Sequence, residues 1–323
     1  MIITKTPLRI SFLGGNTDFA EYYKKYGGAV LTTAIDKFIY CIVKKRFDDM
    51  IYINYSIKEK VTKVEDIKHD LVREAMNMVG IVNGIEITFL SDIPAEGSGL
   101  GSSSAVTVGL LNALYQYIGV SMPLGQLASK ACHIEIDILK KPIGVQDQII
   151  CAYGGFRYLR LLSETQVETL KVNMNHETSD KLQASLMMFY TNQTRSADRI
   201  LKKMNIKKNK EILDKNKHLA VLGNQSLELG QFVAIGELMD NYWDLKKKLN
   251  NAVTNPEIDK MYKKAKKAGA IGGKILGAGG GGFMLLMVDP SNQQKVREAL
   301  KGHNELKFNF EPYGTRSIFN IQE

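Results

Sequence analysis

The sequence predicts a protein of two α+β domains. Its 323 residues suffice for one large domain or two of ordinary size. Strands and helices are mixed without the regular βαβ alternation of a doubly wound sheet. A polar stretch at 163–180 parts a strand-rich beginning from a helix-rich remainder, so the expected domains are residues 1–170 and 171–323.

The elements follow in order. Residues 5–13 and 29–44 are β-rich, the second run with an interruption expected at Ala34-Ile35-Asp36-Lys37. Residues 50–55 and 86–90 read as short strands. Residues 103–118 are helix formers closed by Gly119, and 124–140 form a second helix closed by Lys141-Pro142. Residues 156–162 and 186–191 are strand-like, and helices are expected at 197–204, 210–230 and 232–248. Asn255-Pro256-Glu257 supplies a cap, a first-turn proline and an acid for a helix that stops at Gly269. A glycine-rich loop at 272–282 then leads into a strand at 283–288.

Composition is that of a soluble globular chain, with 44% hydrophobic and 24% charged residues. Residues 1–6 do not have the pattern of a signal peptide, and no apolar run has the length of a membrane span. Cys41, Cys132 and Cys151 are scattered, which speaks against a disulfide framework or zinc ribbon and for a reducing, cytoplasmic setting. The net charge of +9 favours anionic ligands. Much of the excess sits in lysine clusters such as Lys246-Lys247-Lys248, which read as solvated helix faces.

Four segments carry chemistry. Pro94-Ala95-Glu96-Gly97-Ser98-Gly99-Leu100-Gly101-Ser102-Ser103-Ser104 runs into a helix. Glycines allow close backbone approach, the helix start offers free N–H groups and a positive dipole end, and serine hydroxyls can meet phosphate or metal. No lysine precedes the serines as in a Walker A loop, so another cation must help hold a triphosphate. The second segment is the loop Gly144-Val145-Gln146-Asp147-Gln148, after a helix bearing Glu135. Asp147 could accept a hydroxyl proton and Glu135 could bind magnesium, which prefers oxygen, or the two could be an exposed loop Asp and an ordinary surface Glu. The third is Arg9-Ile10-Ser11-Phe12-Leu13-Gly14-Gly15-Asn16-Thr17-Asp18, a strand entering a polar turn. Asn and Asp there could pair with sugar hydroxyls or merely shape the turn, and a buried Arg9 would need an anionic partner. The fourth is the glycine run at 272–282, whose backbones must pack closely against either a ligand or another loop.

In this order the four segments resemble the GHMP kinase superfamily, over nearly the whole chain. Gly-Leu-Gly-Ser-Ser and the late Gly-Ala-Gly-Gly-Gly-Gly are the specific pair. The likeness extends, through Gly27-Gly28-Ala29-Val30 and Tyr190-Thr191-Asn192-Gln193-Thr194-Arg195-Ser196, to the heptose-phosphate kinases. It implies an α+β fold with a ribosomal-protein-S5-like N-terminal domain and a ferredoxin-like C-terminal domain. Carried over by residue, Pro94 and the loop Gly97, Gly99, Leu100, Gly101, Ser102, Ser103 and Ser104 wrap the ATP phosphates. Ser103 and Glu135 hold Mg²⁺, although Ser104 stands where the family has alanine and leaves open which serine meets the metal. Asp147 is the catalytic base, with Arg9 beside it and the γ-phosphate. Gly15, Asn16 and Asp18 line the sugar pocket. Galactokinases have Glu-His in place of Gly15-Asn16, which argues against plain galactose. Arg195 and Arg199 are candidate seats for the acceptor's own phosphate, or equally partners of acidic side chains.

The expected activity is phosphorylation of the anomeric hydroxyl of a heptose 7-phosphate. Expected partners are ATP and a sugar phosphate, with no nucleic acid or membrane and with a homodimer left open. The alternatives are a kinase for a fucose- or galactose-type sugar and, from another class, a basic RNA-binding module. No aromatic-interleaved basic stripe supports the latter.

Overall fold

β-Branched and aromatic runs near the N-terminus build one large sheet. β1 (Ile2–Leu13) pairs antiparallel with β2 (Gly28–Lys45) along its length. β2 is long enough to serve two further neighbours. Its first part pairs with β6 (Phe156–Leu161), and its second with β5 (Ile85–Ser91). Beyond β5 lie β3 (Ile51–Asn54), in parallel, and β4 (Lys58–Val61); β7 (Val167–Lys171) flanks β6. β11 (Arg316–Asn320) returns from the far end of the sequence to pair with β1. The computed structural model describes residues 1–94, 97–162, 166–194, 200, 206 and 208–321.

α3 (Ser102–Tyr117) packs on β1 and β2, with α2 (Asp70–Val79), α4 (Leu124–Cys132) and α5 (Gln146–Tyr153) around it. It is buried on nearly every side, as expected of a helix without a polar face. Its Gly109 lets it lie close on the sheet: a Cβ there would stand 2.5 Å from Thr6 Oγ1. α1 (Ala20–Tyr26) joins β1 to β2.

The second, three-stranded sheet has the antiparallel order β8 (Leu186–Tyr190), β10 (Phe283–Val288), β9 (Ala270–Ile275). Central β10 is buried at every residue, which explains its unbroken apolar run. A single bridge between Phe189 and Glu305 adds a short edge beyond β8. α6 (His176–Ala184) precedes this sheet. α7 (Lys210–Glu228) packs on β1 and β2, and α8 (Phe232–Leu249) packs on α7, β9 and β10, so the two sheets are coupled through this pair. α9 (Pro256–Lys267) begins as expected, with Asn255 Oδ1 accepting from the N–H groups of Glu257 and Ile258. α10 (Gln293–Ala299) follows β10.

Three expectations change in instructive ways. The interruption at 34–37 is a bulge inside a continuous β2. Pro7 faces Phe38 and Leu8 faces Ile35, which leaves Asp36 and Lys37 unopposed. The helix at 124–140 stops at Cys132 and continues as a π-helical segment, His133–Ile138, carrying Glu135. Such wider turns re-aim side chains and recur at functional sites. The glycine run at 272–282 begins inside β9, and only its later part is loop. The polar stretch at 163–180 holds β7 and the beginning of α6, with 163–165 outside the described residues. The helix expected at 197–204 also lies outside them, apart from buried Ile200. Strand β11, absent from the sequence reading, pairs with the first sheet although it follows residue 171.

Candidate active site

β1 carries Arg9 between Leu8 and Ile10, both 0% exposed, so the guanidinium must find an anion. It does. Nε and Nη2 donate to the two carboxylate oxygens of Asp147, each at 2.7 Å, and Nη1 donates to the carbonyl of Gly99 at 2.5 Å. The planar fork matches the carboxylate at both oxygens. Asp147 lies in the first turn of α5 rather than in a loop, where a helix N-terminus favours its negative charge. The anion demanded by Arg9 is therefore 138 positions away in the chain.

The first glycine loop lies against this pair. The Leu100 carbonyl accepts from the N–H of Arg9 at 2.9 Å, which ties the loop to β1. Gly99 has φ +77°, and a Cβ there would stand 2.6 Å from the carbonyl oxygen of Leu276. Both facts require glycine. Conversely, a Cβ on Gly277 would stand 2.6 Å from Cα of Gly99. The second glycine run therefore packs against the first at this point, so a loop is one of its neighbours. α3 opens at Ser102 with no side-chain cap, so its first N–H groups remain available to an anion. Ser98 and Ser102 share a hydroxyl–hydroxyl bond of 3.0 Å. Pro94 leads into this loop; residues 95 and 96 lie outside the described residues.

The π-helical turn aims Glu135 at the mouth of α3. Its carboxylate is fully buried. Ser103 Oγ donates to Oε1 at 2.6 Å, and Ser104 Oγ and Gln148 Nε2 donate to Oε2 at 2.8 and 2.6 Å. Lys141 Nζ stands 4.0 Å from Oε1 and 3.4 Å from Ser103 Oγ. Burial pushes the Glu135 pKa up against these partners. The donor set is all oxygen, and one member, Ser103, is exposed while Ser104 is buried. That fits Mg²⁺, which takes a carboxylate and a hydroxyl beside phosphate oxygens.

At the far end of β1 the turn through Gly15, Asn16 and Asp18 forms a third cluster. Asn16 is held at φ +72°. Asp18 Oδ2 accepts from the main-chain N–H of Gln146 at 3.2 Å and from its Nε2 at 3.1 Å. Asp18 is 1% exposed, and burial, followed by the charge of Asp147, raises its pKa to about 6. Three buried oxygens here have no partner: Ser11 Oγ, Asp18 Oδ1 and Gln146 Oε1. Such atoms call for a ligand that supplies hydrogen bonds. Tyr242 of α8 closes the turn, donating to the Gly15 carbonyl at 3.3 Å.

Sequence reasoning missed several of these groups. Lys246, read as part of a solvated face, is 3% exposed and donates to the carbonyls of Ile275 and Gly277. Burial, helped by Arg9, lowers its pKa to about 7. Lys274, 2% exposed, donates to the carbonyls of Ser11 and Phe12 and so pins β9 to the end of β1. Gln148 and Lys141 had no role assigned. Arg195 and Arg199 lie outside the described residues. A groove of about 750 Å³ between α7 and α8, lined by Glu211, Asp214, His218 and Asp244 among others, contains none of the site residues.

The chain has clear relatives. Residues 65–155 match the GHMP kinases N-terminal domain, and residues 224–306 match the GHMP kinases C-terminal domain. It is 32% identical over 320 residues to the D-glycero-alpha-D-manno-heptose 7-phosphate kinase of Campylobacter jejuni, covering 93% of each chain. A D-glycero-D-manno-heptose 1-phosphate kinase structure from Bacteroides thetaiotaomicron superposes over the whole of both chains with TM-score 0.83 at 24% identity. Lactococcus lactis galactokinase complexed with galactose matches with TM-score 0.76 at 18% identity, over 98% of this chain and 94% of that one. These two structures carry the fold. The expected two-domain α+β architecture is thereby met, and an RNA-binding module is not favoured.

Proposed function

The chain belongs to the GHMP kinase family, with ATP as phosphate donor, and from that premise we propose that it phosphorylates the anomeric hydroxyl of D-glycero-D-manno-heptose 7-phosphate. The product is the 1,7-bisphosphate. One observation carries the reading: a chain-long likeness to a heptose 7-phosphate kinase, with a carboxylate–guanidinium pair lying between an uncapped helix mouth and a turn of unpartnered oxygens.

Each cluster has a task. The N–H groups at the start of α3, with Gly97, Gly99 and Gly101, receive the phosphate oxygens. Asp18, Asn16 and Gly15, joined by Ser11 and Gln146, hold the sugar hydroxyls and aim the reacting one at Asp147. Asp147 takes its proton. An anomeric hydroxyl is more acidic than an ordinary alcohol, so a carboxylate is an adequate base. Arg9 stabilises charge on the phosphoryl oxygens in a loose, in-line transition state. Ser103 and Glu135 would hold magnesium, which when bound screens the triphosphate and neutralises charge on the leaving group. Arg195 and Arg199 remain the proposed seat for the acceptor's phosphate. The three free thiols and the absence, among the described residues, of a helix long and apolar enough to cross a membrane support the proposed cytoplasmic setting.

The test is an ATP-consumption screen over hexoses, heptoses and their phosphates, with NMR of the product. Turnover confined to heptose 7-phosphate, with the new phosphate on the anomeric carbon, is expected. Preference for fucose or galactose would replace this acceptor.

Two further results are expected. A Cβ on residue 144 would stand 2.0 Å from Asp18 Oδ2. Gly144→Ala should therefore displace Asp18 and lower kcat/KM for the sugar roughly 10²-fold, with ATP binding little changed. Equal losses on both substrates in steady-state kinetics would refute this.

The second concerns pH. The folded-state pKa of Asp18 lies above its ordinary 3.8, at about 6, so the native state binds the extra proton in that window. Its contribution therefore falls as pH rises from about 4 to about 6. Asp18→Asn should gain on the parent by up to about 3 kcal/mol across this range in urea unfolding, while losing sugar affinity. A stability difference that does not move with pH would count against it.

A further inference from the structure

The triphosphate cradle lacks a P-loop lysine, and the cations around it differ in what they have free. Arg9 spends three of its five N–H donors within the chain, on Asp147 and Gly99, and keeps two for the phosphoryl group. Lys246 and Lys274 are sealed under main-chain carbonyls, at 3% and 2% exposure. Lys141 differs from these. Its ammonium reaches Ser103, an exposed hydroxyl in the first turn of α3, at 3.4 Å, and its side chain keeps 18% of its surface open. Its backbone is fixed, since its N–H donates to the Glu135 carbonyl at 2.9 Å across the end of the π-helical segment. Its ion-pair partner, Glu135 Oε1, is 4.0 Å away, longer than a direct hydrogen bond.

We infer that Lys141 is an exchangeable counter-cation of the nucleotide site. Without a divalent ion it compensates the buried charge of Glu135. With the metal on Glu135 and Ser103, the ammonium is released to the β- and γ-phosphoryl oxygens of the nucleotide. A buried carboxylate cannot stand uncompensated, and a metal arriving at it makes a neighbouring ammonium redundant there. The same ammonium, 3.4 Å from Ser103 Oγ in the first turn of α3, then stands beside the proposed triphosphate, whose negative charge exceeds what a helix N-terminus offsets. Lys141 thus does for this loop what the missing loop lysine does elsewhere, from the end of a different helix. The inference rests on the kinase reading and specifies how that site takes its nucleotide.

Its two halves predict opposite signs. Lys141→Met should bind Mn²⁺ alone more tightly than the parent, about threefold or more by electron paramagnetic resonance titration, because no tethered cation competes. The same variant should bind a non-hydrolysable Mg²⁺–ATP analogue roughly 10- to 100-fold more weakly by calorimetry, and Lys141→Arg should recover most of that loss. Lys141 is largely covered and Glu135 is fully buried, so urea unfolding of both variants accompanies the titrations; Lys141→Arg, which keeps the charge, should match the parent, and Lys141→Met is read from samples shown to be folded. No gain in Mn²⁺ affinity removes the counter-cation half. An unchanged analogue affinity removes the nucleotide half, and if KM for the sugar phosphate rises instead, Lys141 belongs to the acceptor's phosphate and the inference is overturned. A parent chain that binds no nucleotide at all would refute the kinase reading itself, a different outcome from either.

Discussion

Asp147→Asn is expected to lower kcat by about 10²–10⁴ while leaving ATP binding little changed. Asparagine keeps the size of the side chain but cannot accept the sugar proton. It also loses one of the two charge-assisted bonds from Arg9, since an amide presents a single acceptor oxygen. The loss should appear in kcat more than in either KM, because the proton is transferred only in the chemical step. Single-turnover kinetics with the phosphorylated heptose would measure it. Near-normal turnover would remove Asp147 as the base and leave the Arg9–Asp147 pair a structural one.

The second large effect concerns Arg9 itself. Arg9→Met should cut kcat by about 10²-fold or more through lost charge stabilisation on the phosphoryl group. It should also destabilise the fold by about 3 kcal/mol, because Asp147, with 23% of its side chain exposed, is left without its partner. The two losses can be separated. In the double variant Arg9→Met with Asp147→Asn the stranded charge is gone, so much of the stability should return while activity stays lost. A double variant as unstable as the single one would show that Arg9 serves the fold through packing alone. Urea unfolding of the three variants beside the parent decides this.

How much of this was legible in the sequence depends on the range of the physics. The anion cradle is local: glycines, serines and a helix start lie within a dozen residues, so composition exposes it. Arg9 was legible as a problem, a cation on an apolar strand, but not as a solution, because Asp147 is 138 positions away. The family likeness supplied that pairing. Lys246 was misread for a sound reason. Three consecutive lysines usually mark a solvated face, yet a helix turns about 100° per residue, and the first of the three falls on the buried side. Lys141 carries no local signal at all. Its place follows from the π-helical turn before it, and that turn shares its amphipathic pattern with an ordinary helix. Strands β4 and β11 and helices α1, α2 and α10 went unread because each is short and leans on the larger elements for its burial.

The contact between Gly99 and Gly277 has a mechanical corollary. No side chain stands between the two loops there; main chain meets main chain. Neither loop has a soft appendage that could flex and take up a change in spacing. Any hinge-like parting of the two sheets must either tear this seam or drag the loop before α3 along with it. On the proposed role of that loop in holding nucleotide, release of spent nucleotide and separation of the two sheets are joined as one event by this seam.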